Sequence, residues 1–230
     1  TFNNKNVGTG KTVTVNSITL ADGANGGLAS NYSINTGQTS TANVTAKTLT
    51  VSGITTSNKV YDSTTTATTT LSFSGLIGSE TINNTNSSTF DNKNIGTAKA
   101  VTVNSITLAD GTNGGLAVNY SISSGQTTTA NITAKPLTVS GITTSNKTYD
   151  STTSTTLGTG TVSYGGLVSG DDFAGSYSGV FTNANVGTGK TVNITSSYSG
   201  ADVNNYTVTD QSTTTANITA KALTATASAS

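Results

Sequence analysis

TFDNKNIGTAKAVTVNSITLADG, residues 89–111, decides the fold, because residues 1–23 read TFNNKNVGTGKTVTVNSITLADG. The correspondence extends over 1–47 and 89–135, where 37 of 47 positions are identical at an offset of 88 residues. LTVSGITTSNKVYDSTT from Leu49 returns at the same offset as LTVSGITTSNKTYDSTT from Leu137. A more divergent third copy carries FTNANVGTGKTVNI from Phe181, GADVNNYTV from Gly200 and TTTANITAKALT from Thr213, and closes at Lys221. A fixed period of this kind is the signature of a repeat architecture. The sequence divides into the C-terminal half of one repeat (1–47), complete repeats at 48–135 and 136–221, and the start of another at 222–230. Both ends look cut, so further sequence is expected before Thr1 and after Ser230.

Within a repeat the side-chain periodicity is that of strands. Val101 and Val103 alternate with polar neighbours, and Ile106 and Leu108 do so in the opposite phase, which places a bulge or strand switch at Asn104-Ser105. Leu49–Val51, Leu71–Phe73, Tyr120–Ile122 and Ala130–Ala134 read as further strands. Turn residues separate them: Asp110-Gly111, Asn113-Gly114-Gly115, Ser52-Gly53 and Gly165-Gly166. Short strands at this spacing predict an all-β fold of tandem Ig-like β-sandwich repeats. A period of 88 residues exceeds the roughly 20–45 residues of solenoid repeats, so each repeat is expected to bury its own core. The crossing TTTANITAKPLTVSG from Thr127 has no flexible spacer, and Pro136 stiffens it by holding Lys135 extended. An extended, semi-rigid rod follows as the expectation.

Composition narrows the function. Ser and Thr supply 82 residues, Asn 25 and Gly 25, whereas charged residues are 9% and the net charge is zero. Thr is β-branched and lines the solvated face of a sheet without charge. With no Cys and no His, thiolate and imidazole metal sites, disulfides and the commonest general base are all excluded. A neutral chain without a basic stripe offers nucleic acid no electrostatic footprint. No apolar run reaches the roughly 20 residues of a spanning helix, so membrane insertion is not expected.

The candidate chemical sites read mostly as architecture. Tyr61-Asp62 and Tyr149-Asp150 pair an acid with an aromatic, as sugar sites do, but Asp before Ser-Thr-Thr equally closes an Asx-turn beneath a buried ring. The loop from Asp110 offers calcium too few carboxylates. Asp171-Asp172 is the only acidic pair and reads as a solvated loop. Gly8–Lys11 and Gly187–Lys190 are too short for a phosphate loop. No pair of acids recurs for glycoside hydrolysis. An internal Lys–Asn isopeptide bond would need a buried acid in each repeat as well. Asn31, Asn43, Asn119, Asn131, Asn205 and Asn217 head Asn-x-Ser/Thr triplets that a suitable exporter could glycosylate. Thr127-Thr128-Thr129 resembles an ice-ordering array, though a twisted sheet suits that poorly.

Three ordered motifs give a family resemblance covering essentially the whole chain. Lys59-Val60-Tyr61-Asp62-Ser63-Thr64-Thr65 and Lys147-Thr148-Tyr149-Asp150-Ser151-Thr152-Thr153 resemble the signature of bacterial YDG-domain repeats, with Ser in place of the usual Gly. That Ser puts only the turn in question, since Gly accepts positive φ and Ser does so reluctantly. Phe90–Val101 is similar to the family's aromatic, Asn-Val-Gly, Lys-x-Val block, with Phe2 and Phe181 at the equivalent positions. Gly200–Thr207 resembles the Gly-Ala-Asp-x-x-Asn-Tyr-Thr pattern shared with mostly-bacterial-Ig-like (MBG) repeats, and Tyr206 answers to Tyr32 and Tyr120. The resemblance implies a module of large exported, filamentous-haemagglutinin-like adhesins, without catalytic residues, metal or cofactor. The expected function is a non-catalytic stalk or fibre module of an extracellular adhesin or biofilm matrix filament. Its expected partners are neighbouring repeats and, laterally or end to end, further copies; a direct glycan- or surface-binding module is the alternative.

Overall fold

The computed structural model describes residues 1–226, so of the partial repeat at 222–230 the last four residues lie outside the described residues. The chain is all-β, with twenty-one strands and three single-turn 3-10 helices among the described residues. No helix among them is long and apolar enough to cross a membrane, which leaves membrane β-barrels unaddressed.

Two compact units form, each gathered from three segments. The first comprises Thr1–Thr56, Thr68–Thr89 and Thr102–Thr128; the second comprises Ser57–Ala67, Phe90–Val101 and Thr129–Ser230. Residues 48–135 therefore contribute to both. Within each unit, polar contacts join residues 110 to 113 positions apart, more than one repeat length.

In the first unit, Gly8–Thr14 pairs antiparallel with Thr39–Val44, and Thr50–Thr56 with Thr69–Ser74. Tyr120–Ser121 lies parallel to Lys47–Thr48. In the second, a five-stranded sheet runs in the order Lys147–Thr148, Thr213–Thr219, Gly187–Ser199, Ala174–Phe181, Ser154–Thr155. A three-stranded sheet places Lys135–Ser140 between Ser163–Gly165, antiparallel, and Tyr206–Thr209, parallel. An equivalent five-stranded sheet contains Ile82–Phe90, Gly96–Asp110 and Thr127–Thr133.

Period-two alternation explains the core. Phe90, Val101, Ala130 and Ile132 are buried in the second unit, and so are their third-copy counterparts Phe181, Val192, Ala216 and Ile218. Leu137, Val139 and Ile142 complete the larger cluster together with Tyr61, Ala67 and Tyr206. Gly96–Asp110 runs unbroken through Asn104-Ser105, where two successive exposed residues mark the change of phase. Register shifts are seen at Val51–Gly53 and, each around a glycine, at Gly8–Lys11 and Gly187–Lys190. There the backbone turns to positive φ at Gly10 and Gly189, and Ala98 does the same in the second copy. Such a bulge leaves an N–H outside the ladder. Asn43, Asn131 and Asn217 accept it through Oδ1 at 2.9, 2.8 and 2.7 Å, so three of the glycosylation triplets use their amides to close the sheet.

Candidate functional site: a lysine, aspartate and tyrosine cluster

Five ionisable groups of the second unit, Tyr61, Lys93, Asp171, Asp202 and Tyr206, meet at one place. After the short strand Lys59–Val60, Tyr61 donates its N–H to the Thr133 carbonyl at 2.9 Å. Asp62 then closes a turn: its Oδ1 accepts the Thr64 N–H and hydroxyl, both at 2.9 Å, and pairs with Lys59 at 2.7 Å. Ser63, at φ 65°, points its hydroxyl at Asp171 Oδ1, 2.7 Å away. Lys93 comes from the turn between Ile82–Phe90 and Gly96–Asp110, in which Asn92 Oδ1 holds the Asn94 N–H at 3.0 Å. Asp202 precedes the 3-10 turn Val203–Asn205, and its Oδ2 accepts the Asp172 N–H at 3.0 Å.

These turns converge on the Lys93 ammonium. Asp202 Oδ1 lies 2.7 Å from Lys93 Nζ and Asp171 Oδ1 3.5 Å from it. Tyr206 donates to Asp171 Oδ2 at 2.5 Å, and Tyr61 to Asp202 Oδ1 at 3.3 Å. The Tyr61 and Tyr206 rings meet edge to face at 5.5 Å, and the ammonium sits 5.9 Å from the Tyr61 ring centre. Tyr61 is 0% exposed. The Asp171 side chain is 1% exposed, which corrects the solvated-loop reading of Asp171-Asp172: the loop exists, but its acid turns inward to the lysine and tyrosine.

Two carboxylates against one ammonium leave the cluster one negative charge in excess. The Lys93 bond holds Asp202 below the usual carboxylate range. Burial works against the Asp171 charge, but hydrogen bonds from Tyr206 and Ser63 outweigh it, so that carboxyl is lowered too. Asp202 in turn raises Lys93. Burial, then the bond to Asp171, pushes Tyr206 up to about 12, and burial raises Tyr61.

The first unit carries a simpler version. Lys5 meets Glu80 at 2.5 Å, Tyr120 donates to Glu80 Oε2 at 2.6 Å, and Leu116 precedes the 3-10 turn where Asp202 does so in the second unit. Each unit adds an asparagine lock. Asn119 Oδ1 accepts the Val7 N–H at 2.8 Å, and Asn205 Oδ1 the Ile95 N–H at 3.0 Å. Both amides are thereby committed inside the fold.

The motif residues are distributed unevenly. Tyr61 and Tyr206 come together, whereas Tyr149 is 38% exposed and Asp150 repeats only the local turn, with Lys147 at 2.8 Å. Phe90 and Phe181 are buried beneath Lys59 and Lys147, whose ammonium groups lie 5.8 and 6.0 Å from the ring centres. Tyr120 is buried, while Phe2 forms an isolated bridge with Val13 and stays half exposed, and Tyr32 is 70% exposed. Asp110 Oδ1 accepts the Ala117 N–H at 2.7 Å, a turn-closing role. Among the described residues no three acids, cysteines or histidines cluster as metal ligands.

The YDG domain family profile matches residues 1–42, 45–130 and 133–216. The chain belongs to the YDG domain family. No curated protein and no solved structure matches it. Tyr61-Asp62-Ser63 and Tyr149-Asp150-Ser151 stand where the YDG name puts Tyr-Asp-Gly, and both serines adopt the positive φ that glycine would favour. The cluster draws Tyr61 and Lys93 from the second YDG stretch and Asp171, Asp202 and Tyr206 from the third. Sequence reading passed over Lys93, and took Asp171 as a loop acid, Asp202 as part of a repeat motif and Asn205 as the head of a glycosylation triplet. The available signal was the recurrence of Lys at 5 and 93 and of an acid at 80 and 171, which no local motif connects.

Proposed function

We propose that this chain is a structural stalk or fibre module of a secreted bacterial adhesin or extracellular matrix filament, built from Ig-like sandwiches and without catalytic activity. One observation carries the reading: five ionisable groups of the second and third YDG stretches are spent on one another. Tyr61 and Lys93 close on Asp171, Asp202 and Tyr206, more than one repeat length further along for Lys93 to Asp202. Contacts of that span must all break before the chain lengthens, which suits a load-bearing element. The three-stranded sheet contributes Leu137 and Val139 to a core against which Ile194 and Tyr198 of the five-stranded sheet pack, in keeping with a two-layer sandwich. Partners on this reading are adjoining repeats and further copies in a filament.

Single-molecule stretching tests it. Cooperative ruptures that release lengths longer than one repeat are expected, and smooth entropic extension would refute a mechanical role. Electron microscopy of the native material shows whether filaments form, and small-angle scattering of the purified chain tests the rod expected from its sequence.

A second reading rests on the first unit, where Leu20, Leu28, Tyr32 and Ile34 line an apolar hollow of about 390 Å³. An exposed tyrosine over an apolar floor suits a sugar face. Binding on a glycan array that disappears in Tyr32→Ala would favour this direct-binding module over a spacer.

A further inference from the structure

We propose that Lys93 and Asp202 condense into an intramolecular isopeptide bond, with Asp171 handling the protons. The reacting groups are in place: Nζ stands 2.7 Å from Asp202 Oδ1, and the second carboxylate, Asp171, reaches the same nitrogen at 3.5 Å. Tyr61 donates to Asp202 Oδ1 and the Asp172 N–H to Oδ2, so each oxygen of the electrophile has its own donor. The buried Tyr61 and Tyr206 rings pack edge to face beside the cluster.

The resting state is the ion pair, and the reacting state is its neutral tautomer. One ammonium proton passes to the carboxylates. The freed Nζ lone pair attacks Asp202 Cγ, and the charge that develops on Oδ2 falls on the Asp172 N–H. The Cγ–Oδ1 bond then breaks, and Oδ1 leaves as water with two of the three original ammonium protons, relayed by Asp171. The third proton remains as the amide N–H. Asp171 returns to its starting state, no atom changes oxidation level, and no further reactant is needed.

Two physical arguments favour the product. Groups held at reacting distance have effective concentrations of about 10⁵ M or more, which offsets the preference of an amine and an acid for hydrolysis in water. A neutral amide also removes the need to keep the Asp202 carboxylate, 9% exposed, charged away from water. The first unit supplies an internal control: Lys5 faces Glu80 alone, its side chain is 65% exposed against 35% for Lys93, and Leu116 takes the place of Asp202, the electrophile. No link is expected at Lys5.

The decisive measurement is the intact mass of the purified 230-residue chain under denaturing conditions, followed by peptide mapping. The major species is expected to be lighter than the sequence mass by one water, and its digest to contain a branched peptide joining the segments around Lys93 and Asp202. Lys93→Met and Asp202→Ala are expected to restore the full mass, and Asp171→Asn to slow the loss of water. Full mass in the wild-type chain after prolonged incubation at neutral pH overturns the proposal whatever the variants do. Loss of water without the branched peptide overturns it equally, since Asp22-Gly23 and Asp110-Gly111 can lose water by cyclising on themselves. Because the readout is covalent, it is independent of whether the chain serves as a stalk.

Discussion

Ala98 sits at φ 49° in a bulge where the neighbouring copies place Gly10 and Gly189 at 58° and 57°. A Cβ in that region meets the following carbonyl at a cost of about 1–2 kcal/mol, which glycine avoids. A Cβ at Gly10 or Gly189 would meet no neighbouring atom, so the strain at Ala98 belongs to the backbone rather than to crowding. Ala98→Gly is therefore expected to stabilise the chain by about 1 kcal/mol, read from denaturant midpoints. Ser63 and Ser151 make the same comparison at the Tyr-Asp turn, with φ of 65° and 62°. The Ser151 hydroxyl bonds only its own neighbourhood, at the Asp150 carbonyl, so Ser151→Gly should gain a similar amount. Ser63 also donates to Asp171, so Ser63→Gly should lose its gain to that missing bond. Equal stabilisation by the two serine variants would show that the Ser63 bond contributes nothing.

A loop that repeats in sequence need not repeat in constraint. Asp110–Gly115 and Asp22–Gly27 are nearly identical, and in both the aspartate Oδ1 accepts the N–H seven residues on, at 2.7 Å. In the second copy the loop lies against Thr81, so that a Cβ at Gly111 or Gly115 would come within 2.0 Å of the Thr81 carbonyl oxygen. At Gly23 the nearest atom would be 3.9 Å away. Gly111→Ala is expected to destabilise by about 2 kcal/mol or more, because backbone on both sides must shift. Gly23→Ala should fall within about 0.5 kcal/mol of the parent chain. Thermal unfolding of the two variants side by side checks this, and a comparable loss in both would mean that the Thr81 contact is not what fixes the loop. The strands and turns were legible in sequence because period-two alternation and Asx chemistry are local. The partners of Gly111 were not, since tandem copies look alike whether or not another strand lies against them.

At the scale of the molecule, local pattern gives way to charge and to contacts between copies. The all-β class could be read from the sequence because it rests on alternation, and Phe90, Tyr120 and Tyr206, singled out by recurrence, are buried. The cluster around Lys93 could not be read, because Lys93 and Asp202 belong to different copies and Asp171 looks like any loop acid. Its consequence for stability is nevertheless definite in sign. Asp62, Asp171 and Asp202 are lowered in the folded chain, and Asp150 falls to about 2 under its Lys147 and Thr152 bonds. Their unfolded values lie near 4, so between those limits the unfolded chain binds more protons, and stability present above about pH 5 is lost as pH falls toward 2. Tyrosines act in the opposite direction. Tyr206 is raised to about 12, and Tyr61, Tyr120, Tyr177 and Tyr198 are raised as well, so the unfolded chain ionises first above pH about 10 and stability is lost as pH climbs from there. Melting temperature against pH should therefore be flat from about pH 5 to 9 and fall on both sides. Tyr206→Phe should soften the alkaline fall, and Lys147→Met the acid one. A profile unchanged by both substitutions would mean that these bonds do not set the stability of the chain. Linkage of Lys93 to Asp202 would remove Asp202 from the acid limb while leaving Asp62, Asp150 and Asp171 on it, so the limb should survive in a shallower form.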